Sequence, residues 1–258
     1  MASVYLADDL KHERSVALKA LRLHLEDPAA GERFLREIKY LAKLQHPHIL
    51  PLFDSGDALG IPYYVTSFVE GETLRHRLKV AADKRLAVGT ATHIALEVAD
   101  ALDYAHTHNI VHRDIKPENI LMADDHALVA DFGIARAIQL AAGETPLTDT
   151  GVAIGTPAYM SPEQLAAERE LDARSDVYAL ACVVYEMLAG VPPFMGVRGV
   201  VDNALKFTSV PALLSTVRDD MTVHIEKAIR RALACDPAER YKSAGEFAAA
   251  LDRRVSGD

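Results

Sequence analysis

Three polar side chains fall close together at Asp114, Lys116 and Asn119, and a further carboxylate, Asp131, follows twelve residues after Asn119. Carboxylate and amide oxygens are hard donors, which suit a Mg²⁺ ion that keeps some of its waters and takes few protein ligands. An Asp, an Asn five residues on and an Asp twelve beyond that can form a metal-phosphate site. Asp114 is then the carboxylate placed to orient a hydroxyl beside it. The plainer reading of Asp131 is a turn residue, because Asp-x-Gly is ordinary loop chemistry and Gly133 follows. His112 invites a general-base role, and the reading preferred for it is a packed scaffold residue.

A second chemical signal is a lysine in an apolar strand. Lys19 ends the run Val16-Ala17-Leu18. An ammonium there has a purpose if it reaches phosphates and is held by a carboxylate; otherwise it is a surface lysine at a strand end. Glu37 and Leu41 are four apart and share a helix face, so Glu37 can point to a cleft while Leu41 anchors the helix.

These residues need elements to hold them. Residues 3–7 and 15–21 read as strands around a polar turn. A helix is expected from Asp27-Pro28, with Phe34, Ile38, Leu41 and Leu44 at helical spacing. Apolar runs at 49–53 and 62–68 suit a hairpin. Ile94, Val98, Leu102 and Ala105 form the face of a long helix that leads into the 112–119 cluster. Short strands are expected at 120–122 and 127–129, and a long polar loop from 134 to 155. Helices follow at 175–188, 222–234 and 243–255. Ser161-Pro162-Glu163-Gln164 and Ser243 to Glu246 have the form of capping boxes. A strand-rich first part and a helical remainder suit two lobes with a cleft between them.

The composition is that of an ordinary globular protein: 258 residues, half hydrophobic and a quarter charged. A formal net charge of -9 argues against nonspecific nucleic-acid binding, which needs a basic surface. Cys182 and Cys235 lie in apolar helical patterns and read as buried free thiols of a reducing compartment. No apolar run reaches the roughly 18 residues of a membrane span, and the N-terminus lacks the basic and apolar regions of a signal peptide.

Taken together, Val16-Ala17-Leu18-Lys19, His112-Arg113-Asp114-Ile115-Lys116-Pro117-Glu118-Asn119, Asp131-Phe132-Gly133, the segment Gly155-Thr156-Pro157-Ala158-Tyr159-Met160-Ser161-Pro162-Glu163 and Ser175-Asp176-Val177-Tyr178 resemble a bacterial serine/threonine protein kinase domain of the eukaryotic-like type. The resemblance implies an α+β, two-lobed protein kinase-like fold. A small antiparallel β-sheet lobe with one helix would span 1–69, and a larger, mainly helical lobe 70–258. It implies transfer of the ATP γ-phosphate to serine and threonine hydroxyls of proteins, with Mg²⁺ or alternatively Mn²⁺ as the metal.

By the same resemblance Asp114, Lys116 and Asn119 are catalytic, with Lys116 neutralising charge on the transferring phosphoryl group. Asn119 and Asp131 hold the metal. Lys19 binds the α- and β-phosphates with Glu37 as its partner. Val4, Ala17 and Leu121 sandwich adenine, Thr66 is a small gatekeeper, and the backbone around Phe68 bonds the adenine edge. Arg113 pairs with a phosphate on Thr148 or Thr150, and Thr156 contacts the catalytic Asp114 and Lys116. Glu163 pairs with Arg240, and Asp176 braces the catalytic loop. The implied partners are protein substrates, with self-association for autophosphorylation, and no nucleic acid. The implied location is cytoplasmic, or the cytoplasmic domain of a longer membrane-anchored protein. A small-molecule kinase of the same fold is disfavoured by the 155–163 segment, which resembles the peptide-positioning part of protein kinases.

The chain departs from the family at its start. Met1-Ala2-Ser3-Val4 matches only the end of the pattern G-x-G-x-x-G-x-V, with Ala2 at the third glycine. Val4 to Ala7 is therefore expected to lose its sheet partner and to shift or fray. A start upstream is the favoured explanation. The alternative is a pseudokinase or weakly active scaffold.

Overall fold

The structure, a computed structural model, describes residues 2–21, 29–134, 137, 157–168, 170–194 and 202–252. The first sheet is built from β1 (Ala2–Asp9), β2 (Arg14–Leu21), β3 (Leu52–Ala58) and β4 (Ile61–Ser67), in the order β1-β2-β4-β3. All its neighbours are antiparallel. Helix α1 (Ala29–Leu41) packs on it through Phe34 and Ile38, both fully buried.

The expectation that Val4 to Ala7 lacks a partner is wrong. β1 pairs with β2 along its whole length, from Ala2↔Leu21 to Asp9↔Arg14. The reason lies in the turn. The Asp9 carboxylate accepts from the backbone N–H groups of Lys11 and His12 at 3.2 Å each, and Glu13 takes a left-handed φ of 50°. The turn closes a hairpin locally, so β1 satisfies one edge from the very next strand.

The alternation of these strands sets one cleft face. Val4 lies opposite Lys19 and Leu6 opposite Ala17. Ala17 lies opposite Thr66, and Lys19 opposite Tyr64. Side chains two apart share a face, so Val4, Ala17, Lys19, Tyr64 and Thr66 all project to the same side.

The second sheet has the order β5-β6-β7, from β5 (Glu72–Thr73), β6 (Ile120–Ala123) and β7 (His126–Val129). Ile49 and Leu50 fall outside the first sheet, where a strand was expected. Ile49 bridges Val129, and Leu50 N–H donates to the Val129 carbonyl at 2.9 Å. Their backbone groups are thus used to tie the segment after α1 to β7.

Around this sheet lie α2 (Leu74–Val80), α3 (Val88–Thr107), α4 (Pro162–Leu165), α5 (Ala173–Ala189), α6 (Leu205–Thr208), α7 (Val223–Ala232) and α8 (Ala244–Leu251). Helix α5 is the hub of this part. Every residue from Ser175 to Ala189 is buried, including Val177, Leu180, Val183, Val184, Met187 and Leu188. Each such side chain contributes about 1.5–3 kcal/mol on burial, so the helix is pinned along its length. Asp172 caps its start by accepting from Arg174 N–H. Gly190 ends it at φ 82°, where a Cβ would lie 2.6 Å from the Asp83 carbonyl oxygen. A side chain there meets both strain and a backbone clash.

Cys182 is buried on α5, and burial pushes its thiol up to about 12. Cys235, in contrast to expectation, is exposed: α7 ends at Ala232, so Cys235 falls in the link before the turn that Asp236 caps and not on the helix's apolar face. Among the described residues no helix is long and apolar enough to cross a membrane.

Candidate active site

The loop from His112 to Asn119 is held from below by a buried carboxylate. Asp176, at the first turn of α5, accepts from the backbone N–H of His112 at 2.8 Å and of Arg113 at 2.9 Å. His106 Nε2 lies 2.8 Å from the same group. Burial alone would raise the Asp176 pKa, but the hydrogen bond from His106 and those from the backbone hold it below the ordinary carboxylate range. This is the bracing expected of Asp176.

His112 is fully buried. Its Nε2 sits 2.9 Å from the Ala130 carbonyl, and its ring meets Phe132 edge-on with centroids 4.6 Å apart. Its Nδ1 accepts from Asp114 N–H at 3.2 Å. A residue so enclosed is a scaffold, and it fixes Asp114 and Phe132 relative to each other.

Above this base the chemical groups converge. Lys116 Nζ donates to Asp114 Oδ2 at 2.6 Å. Asn119 Nδ2 donates to the Asp114 carbonyl at 2.8 Å and to its Oδ2 at 3.1 Å. With Nδ2 committed to Asp114, the amide oxygen is the atom Asn119 has left to offer a cation. Asn119 immediately precedes β6, and Asp131 follows β7 by two residues. Their separation is therefore set by the β6–β7 ladder, which runs from Ile120↔Val129 to Ala123↔His126.

Asp131 adopts φ 63°, and Gly133 φ 61° with Leu41 so close that a Cβ would lie 2.8 Å from it. Leu41 thus anchors α1 against this turn. Lys19 Nζ lies 2.5 and 2.8 Å from the two Asp131 oxygens. Among the described residues Lys19 makes no ion pair with Glu37, the partner expected for it. The ammonium takes the nearer carboxylate, and that carboxylate is held by Tyr64, whose hydroxyl donates to Asp131 Oδ1 at 2.9 Å. Tyr64 is buried, and burial together with the Asp131 charge pushes its phenol well above the ordinary tyrosine range. The hydroxyl is therefore a permanent donor.

The other expected binding residues divide by burial. Thr66 is buried, Ala17 and Leu121 are partly buried, and Val4 and Phe68 are exposed. Thr148, Thr150 and Thr156 lie outside the described residues. Arg113 sits on the loop with φ 69°, and its carbonyl accepts from Gln164 Nε2 at 2.8 Å.

The segment that follows is fastened by two buried cations. Arg240 grips Glu163 with two parallel hydrogen bonds of 2.7 and 2.8 Å, and Ser175 Oγ adds a third at 2.7 Å. Burial raises the Glu163 pKa, but Arg240 outweighs it and lowers it overall. The capping box at Ser161 and Gln164 closes in both directions. Lys206, which sequence reading passed over, is also buried. Its Nζ donates to the carbonyls of Pro157, Ala158 and Met160 at 2.6, 3.0 and 2.7 Å.

A third cation, Arg75 of α2, was likewise missed. It contacts Glu118 at 2.8 Å, Glu186 at 2.7 Å and the Tyr159 hydroxyl. Tyr64 had one signal in the sequence: it stands two residues before Thr66 and so shares its strand face. Lys206 and Arg75 had none: a lone lysine reads as solvated, and Arg75 is one of several basic residues, with Arg77 and Lys79, on one short helix.

Against known proteins, the model of the protein kinase domain matches residues 1–249. The serine/threonine-protein kinase PknB of Mycolicibacterium smegmatis is 42% identical over 263 residues, covering 100% of this chain and 41% of that protein. PknB of Mycobacterium leprae is 40% identical, again over 100% of this chain and 41% of its own length. Among solved structures, a double mutant of the Mycobacterium tuberculosis PknI kinase domain superposes with a TM-score of 0.77 at 33% identity, covering 97% of this chain and 89% of that one. The chain spans about two fifths of the length of the curated relatives it matches.

Proposed function

The chain belongs to the protein kinase domain family and has its two-lobed α+β fold, and from that premise we propose that it transfers the γ-phosphoryl group of ATP to serine and threonine hydroxyls of proteins in bacterial signalling. The observation that carries the reading is the loop on which Asp114, Lys116 and Asn119 are locked together by hydrogen bonds, facing Asp131 across one hairpin. The lobes would divide at 69/70.

ATP and Mg²⁺ fit the donors present. The carboxylate of Asp131 and the remaining oxygen of Asn119 are hard ligands and would hold the metal, with Mn²⁺ as an acceptable substitute. When bound, the metal neutralises phosphate charge. Lys19 would grip the α- and β-phosphates by exchanging its hold on Asp131, with Glu37 as the carboxylate that then steadies it. Val4, Ala17 and Leu121 would enclose the adenine ring, Thr66 would bound the pocket, and the backbone near Phe68 would bond its edge. Asp114 would orient the acceptor hydroxyl and take its proton; Lys116, already on Asp114, would balance the charge that develops on the phosphoryl group. Thr156 would contact the same pair.

Regulation would run through Arg113. A phosphate on Thr148 or Thr150 supplies strong acceptors for a guanidinium next to the catalytic carboxylate. Phosphorylation by a second copy is the self-association this requires. By this reading the reaction runs in the cytoplasm, either in a cytoplasmic protein or in the cytoplasmic domain of a longer membrane-anchored one, and the greater length of the relatives is in keeping with the second.

The test is incorporation of radiolabelled phosphate from ATP into a generic basic protein by the wild type and by Asp114→Asn. Loss of a positioned proton acceptor should lower the rate by roughly 10²–10⁴-fold. Equal incorporation by both would overturn the reading and favour a scaffold.

A further inference from the structure

On the flank away from the catalytic loop, three groups meet that the kinase chemistry does not use. His93 and Glu97 stand one turn apart on α3, and His126 opens β7. Their ligand atoms all lie within 4.8 Å of one another. Glu97 Oε1 is 2.6 Å from His126 Nδ1 and 3.3 Å from His93 Nε2. From this geometry we propose that His93, Glu97 and His126 form a binding site for a divalent transition metal of the zinc type.

The chemistry of the donors suits that class. Two imidazoles and one carboxylate, with further positions left to water, match zinc and its neighbours and not Mg²⁺, which prefers oxygen alone. Ligands about 2.0–2.1 Å from a tetrahedral ion stand roughly 3.3–3.5 Å apart. His93 and Glu97 already have that spacing. His126 must withdraw from Glu97 by less than an ångström and settle against His93, whose ligand atom lies within 4.8 Å of its own; its side chain, 65% exposed, has room to do so. His93 is 56% exposed, which leaves the site open to solvent.

The carboxylate is prepared from behind. Glu97 is buried, and its Oε2 accepts the Ala127 backbone N–H at 2.7 Å, so that Oε1 is turned toward the two imidazoles. Such support fixes a ligand's direction before the ion arrives. His48 stands next to the cluster, with its ring 6.4 Å from that of His126 and its Nδ1 at 3.0 Å from the Ala127 carbonyl. It is the closest further imidazole. A metal here would clamp the β6–β7 hairpin, which separates Asn119 from Asp131, onto α3.

The experiment uses the whole 258-residue chain, stripped of metal by a chelator and titrated with ZnCl₂ against a chromophoric chelator, without nucleotide. Three proteins are compared: the wild type, the double variant His93→Ala/His126→Ala, and Asp131→Asn. The wild type should take up one Zn²⁺ in the micromolar range or tighter, and its melting temperature should rise with the metal. The double variant should bind more than about tenfold more weakly, and Asp131→Asn should bind as the wild type does. Both histidines are exposed, so the double variant should fold; the single change His126→Asn, which keeps a polar group, repeats the comparison. The proposal fails if the wild type takes up no Zn²⁺. It also fails if the histidine variants bind as tightly as the wild type, or if Asp131→Asn is the variant that loses the ion. None of these outcomes depends on kinase activity.

Discussion

The Tyr64 hydroxyl donates to Asp131 Oδ1 at 2.9 Å, so a phenol and an ammonium share one carboxylate at the heart of the cleft. A donor on that oxygen competes with any cation that would use it. Hydrogen bonds to charged groups contribute about 1.5–3 kcal/mol. Tyr64→Phe keeps the ring and removes the competitor, so the Mg²⁺ concentration for half-maximal activity should fall several-fold, with kcat little changed. Kinase assays over a Mg²⁺ series check this. A rise in the Mg²⁺ requirement would show that the phenol positions Asp131 for the metal.

Asp176 links the catalytic loop to pH. Its folded pKa lies below the ordinary carboxylate value of about 3.9. A depressed carboxylate adds stability that is present above the unfolded pKa and is lost as pH falls through the folded one. Glu163, also depressed, acts in the same direction. Stability should therefore drop below about pH 4. Asp176→Asn should be less stable at pH 7 but show a flatter acid limb. Urea unfolding at several pH values measures both; parallel curves would contradict the linkage.

Lys206 holds three carbonyl groups of the 157–160 segment, those of Pro157, Ala158 and Met160, with one buried ammonium. Lys206→Met preserves volume and leaves these acceptors without their donor, each at about 1–3 kcal/mol if it stays buried. The KM for a protein substrate should rise at least several-fold while the KM for ATP stays near its original value. Equal change in both would show general unfolding instead of local loosening.

Thr148 and Thr150 offer a test of the switch. Changing both to Ala should lower the activity of autophosphorylated protein severalfold and bring it near that of phosphatase-treated wild type. Undiminished activity, with autophosphorylation intact, would remove them from the regulation.

The parts of the site that were legible in the sequence are those held by neighbours along the chain. The cap at Ser161 and Gln164, the loop from His112 to Asn119 and the turn at Asp131 are local arrangements, readable from spacing. The Glu163–Arg240 pair was readable only because the motif carries it. The partner of Lys19 was not readable. It depends on the antiparallel register that sets Lys19 beside Tyr64, two strands joined by a long excursion. The pairing of β1 was missed for another reason: its partner was taken to be the strand missing from the start of the family pattern, whereas the Asp9 turn closes it with the very next strand. Lys206 was illegible because buried cations are rare unless their acceptors are known, and the partly buried Arg75 because its acceptors lie more than 40 residues away in the sequence.

The β6–β7 hairpin between Asn119 and Asp131 works as a gauge block. Its turn, Asp124-Asp125, has both residues at positive φ and lies at the far end from Asn119 and Asp131. Length added at that tip leaves the spacing of Asn119 and Asp131 untouched. One residue inserted within either strand slips the ladder and sends every following side chain to the opposite face. Tolerance to insertion should thus change abruptly between residues 123 and 126, which makes the tip of this hairpin a usable place to graft a tag or reporter without disturbing the cleft.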